Sequence, residues 1–309
     1  MRTARQAILV VTAVSVALLV FGIGTLIAQP GRSGKPDPKK PVPATDVVLV
    51  KKVSLKGGRP PGAGAAKKVE AATGLLGQSV KGKKYAVVVG ISDYPGTGND
   101  LSYAHVDAID MAAALNDVYK FDQVTLLTNL DATREAILNA IGDLSPGSND
   151  EVVFFFSGHG MNGAAQDGDT EKMDEALVAH DGSKLVPIWD GELREAFAGF
   201  GTDRIVLIFD ICLAGGMDDL AGPGRVILMA SGEHGYSYEG EQWGHGEFTY
   251  YLVDRGIVAG QANIHDYDHD TTLSEPQQVT VEEAFDYTKA NCSMDRPVIS
   301  DNFANDLLP

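Results

Sequence analysis

From residue 83 onward, short runs that are apolar throughout alternate with longer stretches whose apolar positions fall at helical spacing. The runs "KKYAVVVGI" (83–91), "VTLLT" (124–128), "EVVFFFSG" (151–158), "RIVLIFD" (204–210) and "RVILMAS" (225–231) predict strands, and "PVISD" (297–301) is a candidate sixth. Between them, "VDAIDMAAALNDVY" (106–119), "TREAILNAIGDL" (133–144), "DGELREAFAGF" (190–200), "GEFTYYLVDRGI" (246–257) and "VTVEEAFDYTKA" (279–290) predict helices. A strand without polar alternation is buried on both faces, as happens in a parallel sheet covered by helices on each side. The pattern therefore predicts an α/β fold, a three-layer αβα sandwich around a mostly parallel sheet of about six strands, spanning residues 81–309. In such sheets the functional site lies at the carboxyl ends of the strands.

The first eighty residues read differently. After Arg2 and Arg5, 22 uncharged and mostly apolar residues run from Ala7 to Ala28. As a helix they span about 30 Å, one bilayer core. The apolar region of a cleaved signal is shorter, about 7–15 residues. Residues 1–29 are thus expected to be an uncleaved transmembrane anchor, or a signal segment if cut near Leu26-Ile27-Ala28. Arg32, Lys35, Lys39 and Lys40 balance the charges before the span, so the side of the membrane stays open; the expectation is a domain outside the cytoplasm, secreted if the segment is cleaved. Residues 30–80 are rich in Pro, Gly and Lys and predict a flexible linker, within which "DVVLVKKVSL" (46–55) can form a short strand.

Charge sharpens the division. Residues 1–80 hold 12 Lys/Arg against 3 Asp/Glu, whereas residues 81–309 hold 13 against 39. Such an acidic domain repels nucleic acid and attracts cationic peptides and divalent metals. The two cysteines, Cys212 and Cys292, provide no disulfide framework.

Two strand ends carry candidate chemistry. "FFFSGHG" leads straight into His159, and "IVLIFD" ends on Ile211-Cys212. If those strands are neighbours, a thiol and an imidazole share the open sheet edge: a nucleophile, and a base that takes its proton and later protonates the leaving amine. The N–H groups of Gly160 and Cys212 can then face a developing oxyanion. The bland readings are a structural histidine in a glycine turn and a cysteine used as a small buried hydrophobe. Cys292, on a predicted helix end, is the weaker nucleophile candidate.

These residues bear a resemblance. The chain from about 83 to 309 resembles the caspase-like cysteine peptidases (clan CD, family C14), most of all the metacaspases and prokaryotic orthocaspases. "SGHG" is similar to their histidine motif and "DICLAGG" to their D-x-C-x-x-G nucleophile motif; the 53-residue separation is near the ~50 of caspases. "VVVGISDYPG", "ILMASGEHGYSYE" and "GHGEFTYYL" resemble flanking segments. The resemblance implies a cysteine endopeptidase with protein or peptide substrates. It places Asp107 and Asp210 in the S1 pocket, where two carboxylates favour Lys or Arg at P1. It implies a calcium site at Asp174, Asp190 and Asp219, with Gly191 where the family has a second acid and with Glu192 or Asp218 as substitutes. A second acidic stretch, Asp266, Asp268 and Asp270, lacks the glycine of a calcium loop; Gln277 stands where its closing Glu belongs, with Glu283 as a late candidate. Only Gly222, Pro223 and Gly224 separate "DDLA" from the next strand, so activity without internal cleavage is expected. Two alternatives stay open: a catalytically silent binding or scaffolding module, and a peptidase preferring Asn or Asp at P1.

Overall fold

A computed structural model describes residues 35–56, 80–166, 172–264 and 279–304. In chain order, β1 (Ala44–Val50) and β2 (Val53–Leu55) lead into β3 (Lys84–Gly90), α1 (Ala104–Asp117), β4 (Gln123–Thr128), α2 (Arg134–Gly142) and β5 (Glu151–Ser157). β6 (Gly160–Ala165), β7 (Asp174–His180), β8 (Leu185–Trp189), α3 (Asp190–Phe197), β9 (Ile205–Asp210) and β10 (Arg225–Met229) follow. The chain continues with β11 (Tyr238–Gly240), β12 (His245–Gly246), α4 (Glu247–Thr249, running on as a π-helix over Tyr250–Val258), α5 (Val281–Asn291) and β13 (Val298–Asp301).

The central sheet has the order β13-β10-β9-β5-β3-β4. All neighbours are parallel except the β10–β13 edge pair. This is the expected mostly parallel six-strand sheet, and its apolar runs explain it. Phe154, Phe155 and Phe156 alternate between the two faces and all are 0% exposed. Phe154 and Phe156 join Val87, Val89, Ile137 of α2 and Phe197 of α3 in one core. Phe155 joins Ala86, Val88, Met111 of α1, Leu252 and Phe285 of α5 in the other. Helices thus cover both faces. β5 is central, and its end is in register with its neighbours: Ser157 pairs with Gly90 on one side and Asp210 on the other.

Beyond β5 the chain departs into a smaller antiparallel sheet, ordered β1-β6-β7-β8. Its presence corrects the linker reading for residues 44–55. Instead of trailing as a tether, β1 pairs with β6 and β2 pairs with β11. The β-branched run in "TDVVLVKKVSL" suits a strand, here one that borrows its partners from a distant part of the chain. Among the described residues no helix is long and apolar enough to cross a membrane. The anchor expected at 1–29 and the acidic stretch at Asp266, Asp268 and Asp270 lie outside the described residues. Glu283 has a local role. Together with Thr280 it forms the capping box that starts α5, accepting from the Thr280 N–H at 2.8 Å.

Because β5 is buried on both faces, Phe155→Ala should cost about 3–5 kcal/mol in denaturant unfolding. Ile109→Ala, on the exposed side of α1, should stay within about 0.5 kcal/mol.

Candidate active site

His159 stands in the two-residue gap between β5 and β6, so the end of the central strand delivers it to the sheet edge. Its ring is fixed from three directions. The Tyr94 ring stacks on it at 4.8 Å, and the Tyr94 hydroxyl accepts the His159 backbone N–H at 3.0 Å while donating to the Val178 carbonyl. Nδ1 accepts the backbone N–H of Lys52 at 3.0 Å. Nε2 therefore carries the proton and donates it to the Asn99 carbonyl at 2.7 Å. Burial, together with the nearby Lys51 and Lys52 charges, pushes the imidazole down to about 4 against the Asn99 hydrogen bond. Gly160 must be glycine, because a Cβ there would run into the carbonyl oxygen of Cys212. The histidine turn and the nucleophile loop touch through that missing side chain.

Cys212 follows β9, the sheet neighbour of β5. Leu213 takes a left-handed φ of 62°, turning the chain sharply after the cysteine, and its N–H is held by the Gly235 carbonyl at 2.9 Å. The thiol sulfur accepts the Ser237 N–H at 3.2 Å, and its proton points to the Lys51 carbonyl at 3.4 Å. Burial pushes the thiol up to about 11, only partly offset by the Ser237 N–H and the Lys52 charge. Both predicted chemical groups thus reach one edge. Among the described residues neither imidazole nitrogen bonds the thiol; both groups meet the Lys51–Lys52 peptide instead. Cys292 ends α5 beside Glu247 and Asp295, away from the contacts of His159.

Asp107 and Asp210 do converge, and what lies between them is a lysine. The Lys52 Nζ is 2.7 Å from Asp210 and 3.7 Å from Asp107, with all three side chains fully buried. It also donates to Ser157 Oγ at 3.1 Å and to the Asp210 carbonyl at 3.2 Å. Burial alone would lower the ammonium pKa, but the two carboxylates outweigh it and raise it. Asp210 accepts from Ser237 Oγ and Thr249 Oγ1, each at 2.6 Å. Asp107 accepts from Ser157 Oγ at 2.7 Å, the Gly246 N–H at 3.0 Å and His245 Nδ1 at 3.1 Å. Burial favours the neutral acid, yet His245 and Lys52 hold the Asp107 carboxyl below its usual range. A Cβ at Gly246 would project onto Asp210, Lys52 and Asp107, so that glycine keeps the pocket open.

Lys52, Tyr94, Asn99, Ser237 and His245 are site residues that sequence reasoning missed. Tyr94, Ser237 and His245 lie in the segments "VVVGISDYPG", "ILMASGEHGYSYE" and "GHGEFTYYL", which marked the region without assigning them a role. Gly160 lies in register with Val50 of β1 and Leu177 of β7, so β1 is laid along the start of the proposed oxyanion loop. Asp174 and Asp190 are buried at the starts of β7 and α3, and Asp219 is half-buried on the turn after Cys212. They are not brought together as a compact ligand set. Among the described residues the group with three ligand atoms within 4.8 Å of one another is Glu247, Cys292 and Asp295. The Glu247 carboxylate there already accepts the N–H groups of Ser293, Met294 and Asp295, as befits a loop clamp. Glu192, the candidate substitute ligand, forms a two-pronged ion pair with Arg134 at 2.8 and 3.0 Å.

Comparison with known proteins agrees with this architecture. No curated protein matches the chain. Among solved structures, the crystal structure of protein GSU0716 from Geobacter sulfurreducens is similar in fold, with a TM-score of 0.50 and 18% identity, covering 71% of this chain and 93% of that one. The family model for the caspase domain, peptidase family C14, matches residues 83–284. That span runs from β3 to the first turn of α5 and includes His159, Cys212, Asp107 and Asp210: the chain belongs to the caspase-domain family of cysteine peptidases.

Proposed function

We propose that this protein is a cysteine endopeptidase that cuts after Lys or Arg, using Cys212 and His159. The observation that carries the specificity is the buried Lys52 ammonium between Asp210 and Asp107. A pocket that houses a lysine from its own chain offers the same acceptors to a lysine or arginine from a substrate. A P1 aspartate would meet two like charges.

The chemistry follows from the ring's fixed tautomer. Asn99 holds Nε2–H, which leaves Nδ1 as the nitrogen able to take the thiol proton. Once Cys212 is a thiolate it attacks the carbonyl carbon of the pocket residue. The N–H groups of Gly160 and Cys212 are the proposed donors to the resulting oxyanion. The imidazolium, stabilised by the Asn99 carbonyl, then passes its proton to the leaving amine, and water releases the acyl group from sulfur. No step is assigned to calcium, because Asp174, Asp190 and Asp219 are not gathered into a shell; its effect is left to the assay below. On sequence grounds, residues 1–29 would tie the enzyme to a membrane.

A second reading, a silent binding module, is favoured by one fact: in this conformation the thiol and imidazole each bond the Lys51–Lys52 peptide and not each other. Turnover separates the two. On a fluorogenic peptide panel varied at P1, with calcium added or chelated, Arg and Lys peptides should be cut in preference to Asp and Asn peptides. Preference for Asp would reverse the pocket assignment, and no turnover of any peptide even at saturating concentration would favour the silent module.

Cys212→Ala and His159→Ala should each lower the rate by ~10⁴–10⁶ without changing the melting temperature by more than a few degrees. Asp210→Asn should lower kcat/KM for Arg peptides by an amount equivalent to ~2–5 kcal/mol, because one charge of a desolvated pair is lost. The pocket also predicts a pH effect on stability. Burial lowers the His245 pKa, but its hydrogen bond to Asp107 and the charges of Asp107, Asp110 and Asp254 outweigh this and raise it. A raised pKa means stability that is fully present below about pH 6.5, the unfolded value, and is lost as pH rises through the folded value. His245→Gln should therefore destabilise most in mildly acidic buffer and progressively less toward alkaline pH, read from urea unfolding across that range.

A further inference from the structure

Residues 44–55 cross the substrate cleft in a defined direction. β1 runs along β6 on the His159 side, Lys51 and Lys52 pass over the thiol and imidazole, and β2 runs parallel to β11 on the Cys212 side. The direction matters because peptide hydrolysis is directional. A substrate cut after its pocket residue must present that residue's own carbonyl carbon to the thiolate. The nitrogen of the following residue must face the imidazole, which protonates it as it leaves. A substrate therefore passes from the Cys212 side to the His159 side.

At the dyad the strap keeps that polarity but stands one residue out of step. The side chain in the pocket is that of Lys52. The nitrogen at His159 Nδ1 is also that of Lys52, and the carbonyl oxygen at the thiol belongs to Lys51. The peptide group between the two reactive side chains precedes the pocket residue instead of following it. Resting on the basic-pocket reading above, we propose that residues 44–55 are an intramolecular inhibitor that fills the pocket one residue out of register with a substrate, so that the enzyme occludes itself without cutting its own strap.

Each requirement of the reaction is blocked by one strap group. The Lys52 N–H occupies the only imidazole nitrogen left for base chemistry. The Lys51 carbonyl accepts the hydrogen bond of the thiol. The Lys52 ammonium fills the pocket. Two further contacts hold the strap on the Cys212 side: the Val53 N–H donates to the Ser237 carbonyl at 2.9 Å, and Ser54 Oγ donates to Glu239 at 2.6 Å. Glu239 also accepts the N–H groups of Ser102 and Tyr103 just before α1, so one carboxylate joins strap, β11 and the helix that carries Asp107. Because the strap is covalently attached, it competes at an effective concentration on the order of mM, and a peptide's apparent affinity falls with the fraction of molecules whose cleft is open.

The test uses the full-length chain and a reagent blind to the pocket. Cys212 carbamidomethylation by iodoacetamide is followed by peptide mapping, which separates it from Cys292, in the wild type, Lys52→Arg, Lys52→Gln and Ser54→Asp. Ser54→Asp sets a carboxylate against Glu239 and loosens the strap while leaving Lys52 and the pocket intact, so it decides the matter should Lys52→Gln fail to fold. Cys212 should react ~10-fold or more faster in Lys52→Gln and Ser54→Asp than in the wild type, with Lys52→Arg still protected. Intact mass should show wild-type chain uncut between residues 51 and 53. Equal alkylation rates in the wild type and Ser54→Asp would overturn the inhibitor, as would wild-type chains found cut after Lys52, which would make the strap a substrate. Assaying Ser54→Asp on Arg and Asp peptides keeps the two readings apart. An exposed Cys212 with no cleavage after Arg supports the occluding strap and sinks the basic-pocket peptidase on which its name as inhibitor rests.

Discussion

Two carboxylates with no access to water, Asp107 and Asp210, set the terms for the rest of this molecule. Desolvating one ion costs several kcal/mol, and two like charges in one pocket compound it. The fold spends many of its polar groups on the problem: Ser157 from β5, Ser237 before β11, Thr249 of α4, His245 and the Gly246 N–H all aim at these two side chains. Hydrogen bonds alone leave the charge uncompensated. The pocket is therefore complete only with a cation in it, and the chain supplies Lys52 from more than fifty positions before Asp107. Fold and occupancy are here one electrostatic requirement, and the proposed specificity rests on it.

The same occupancy explains the protonation states at the edge. A thiol pushed up to about 11 and an imidazole pushed down to about 4 are poorly suited to make an ion pair. Burial is the first cause of both shifts, and the strap contributes to that burial. It also supplies the Lys51 and Lys52 charges that disfavour an imidazolium. Lifting the strap returns water to both groups and removes the N–H from Nδ1, so both shifts relax toward ordinary values. The neutral resting pair belongs to the covered cleft. Neither Tyr94 stacked on the ring nor the Asn99 carbonyl that fixes its tautomer belongs to the strap.

Much of the fold was legible because it rests on local, repetitive signals. Continuous apolar strands such as "VVFFF" and "IVLIF" declare burial on both faces, and the helices between them declare the layers. Cys212 and His159 were legible because each follows such a strand directly, so the parallel sheet aligns them. Asp107 and Asp210 were named for the pocket only through the family resemblance. The pocket's remaining members were not. Ser237, Thr249 and His245 are ordinary polar residues whose roles exist only after α1, β9 and α4 meet. Lys52 was hidden more deeply. It lies in the short apolar run "DVVLVKKVSL", but the Pro-, Gly- and Lys-rich stretches on either side signal a chain unable to bury surface. The strap contradicts the signal because its partners, β6 and β11, lie in the folded domain, and strands that borrow partners leave little trace in composition.

Asp107 shows how the pocket grades its occupants. Its Oδ1 serves His245 and Gly246, and its Oδ2 serves Ser157 and, at longer range, Lys52. The closer ion pair is with Asp210 at 2.7 Å. A lysine ammonium is a point donor and is satisfied mainly by one carboxylate, which is the asymmetry seen here. An arginine's planar fork can engage two acceptors on different elements at once. Asp210 on β9 and Asp107 on α1 are such a pair, the second reached only at 3.7 Å by the resident lysine. The strap thus uses the residue that fits the pocket adequately, and it leaves unused a contact that a better-suited guanidinium can make. An inhibitor carried on the same chain needs no higher affinity than that, because its tether keeps it at hand, whereas a substrate arriving from solution has to exploit every acceptor the pocket offers.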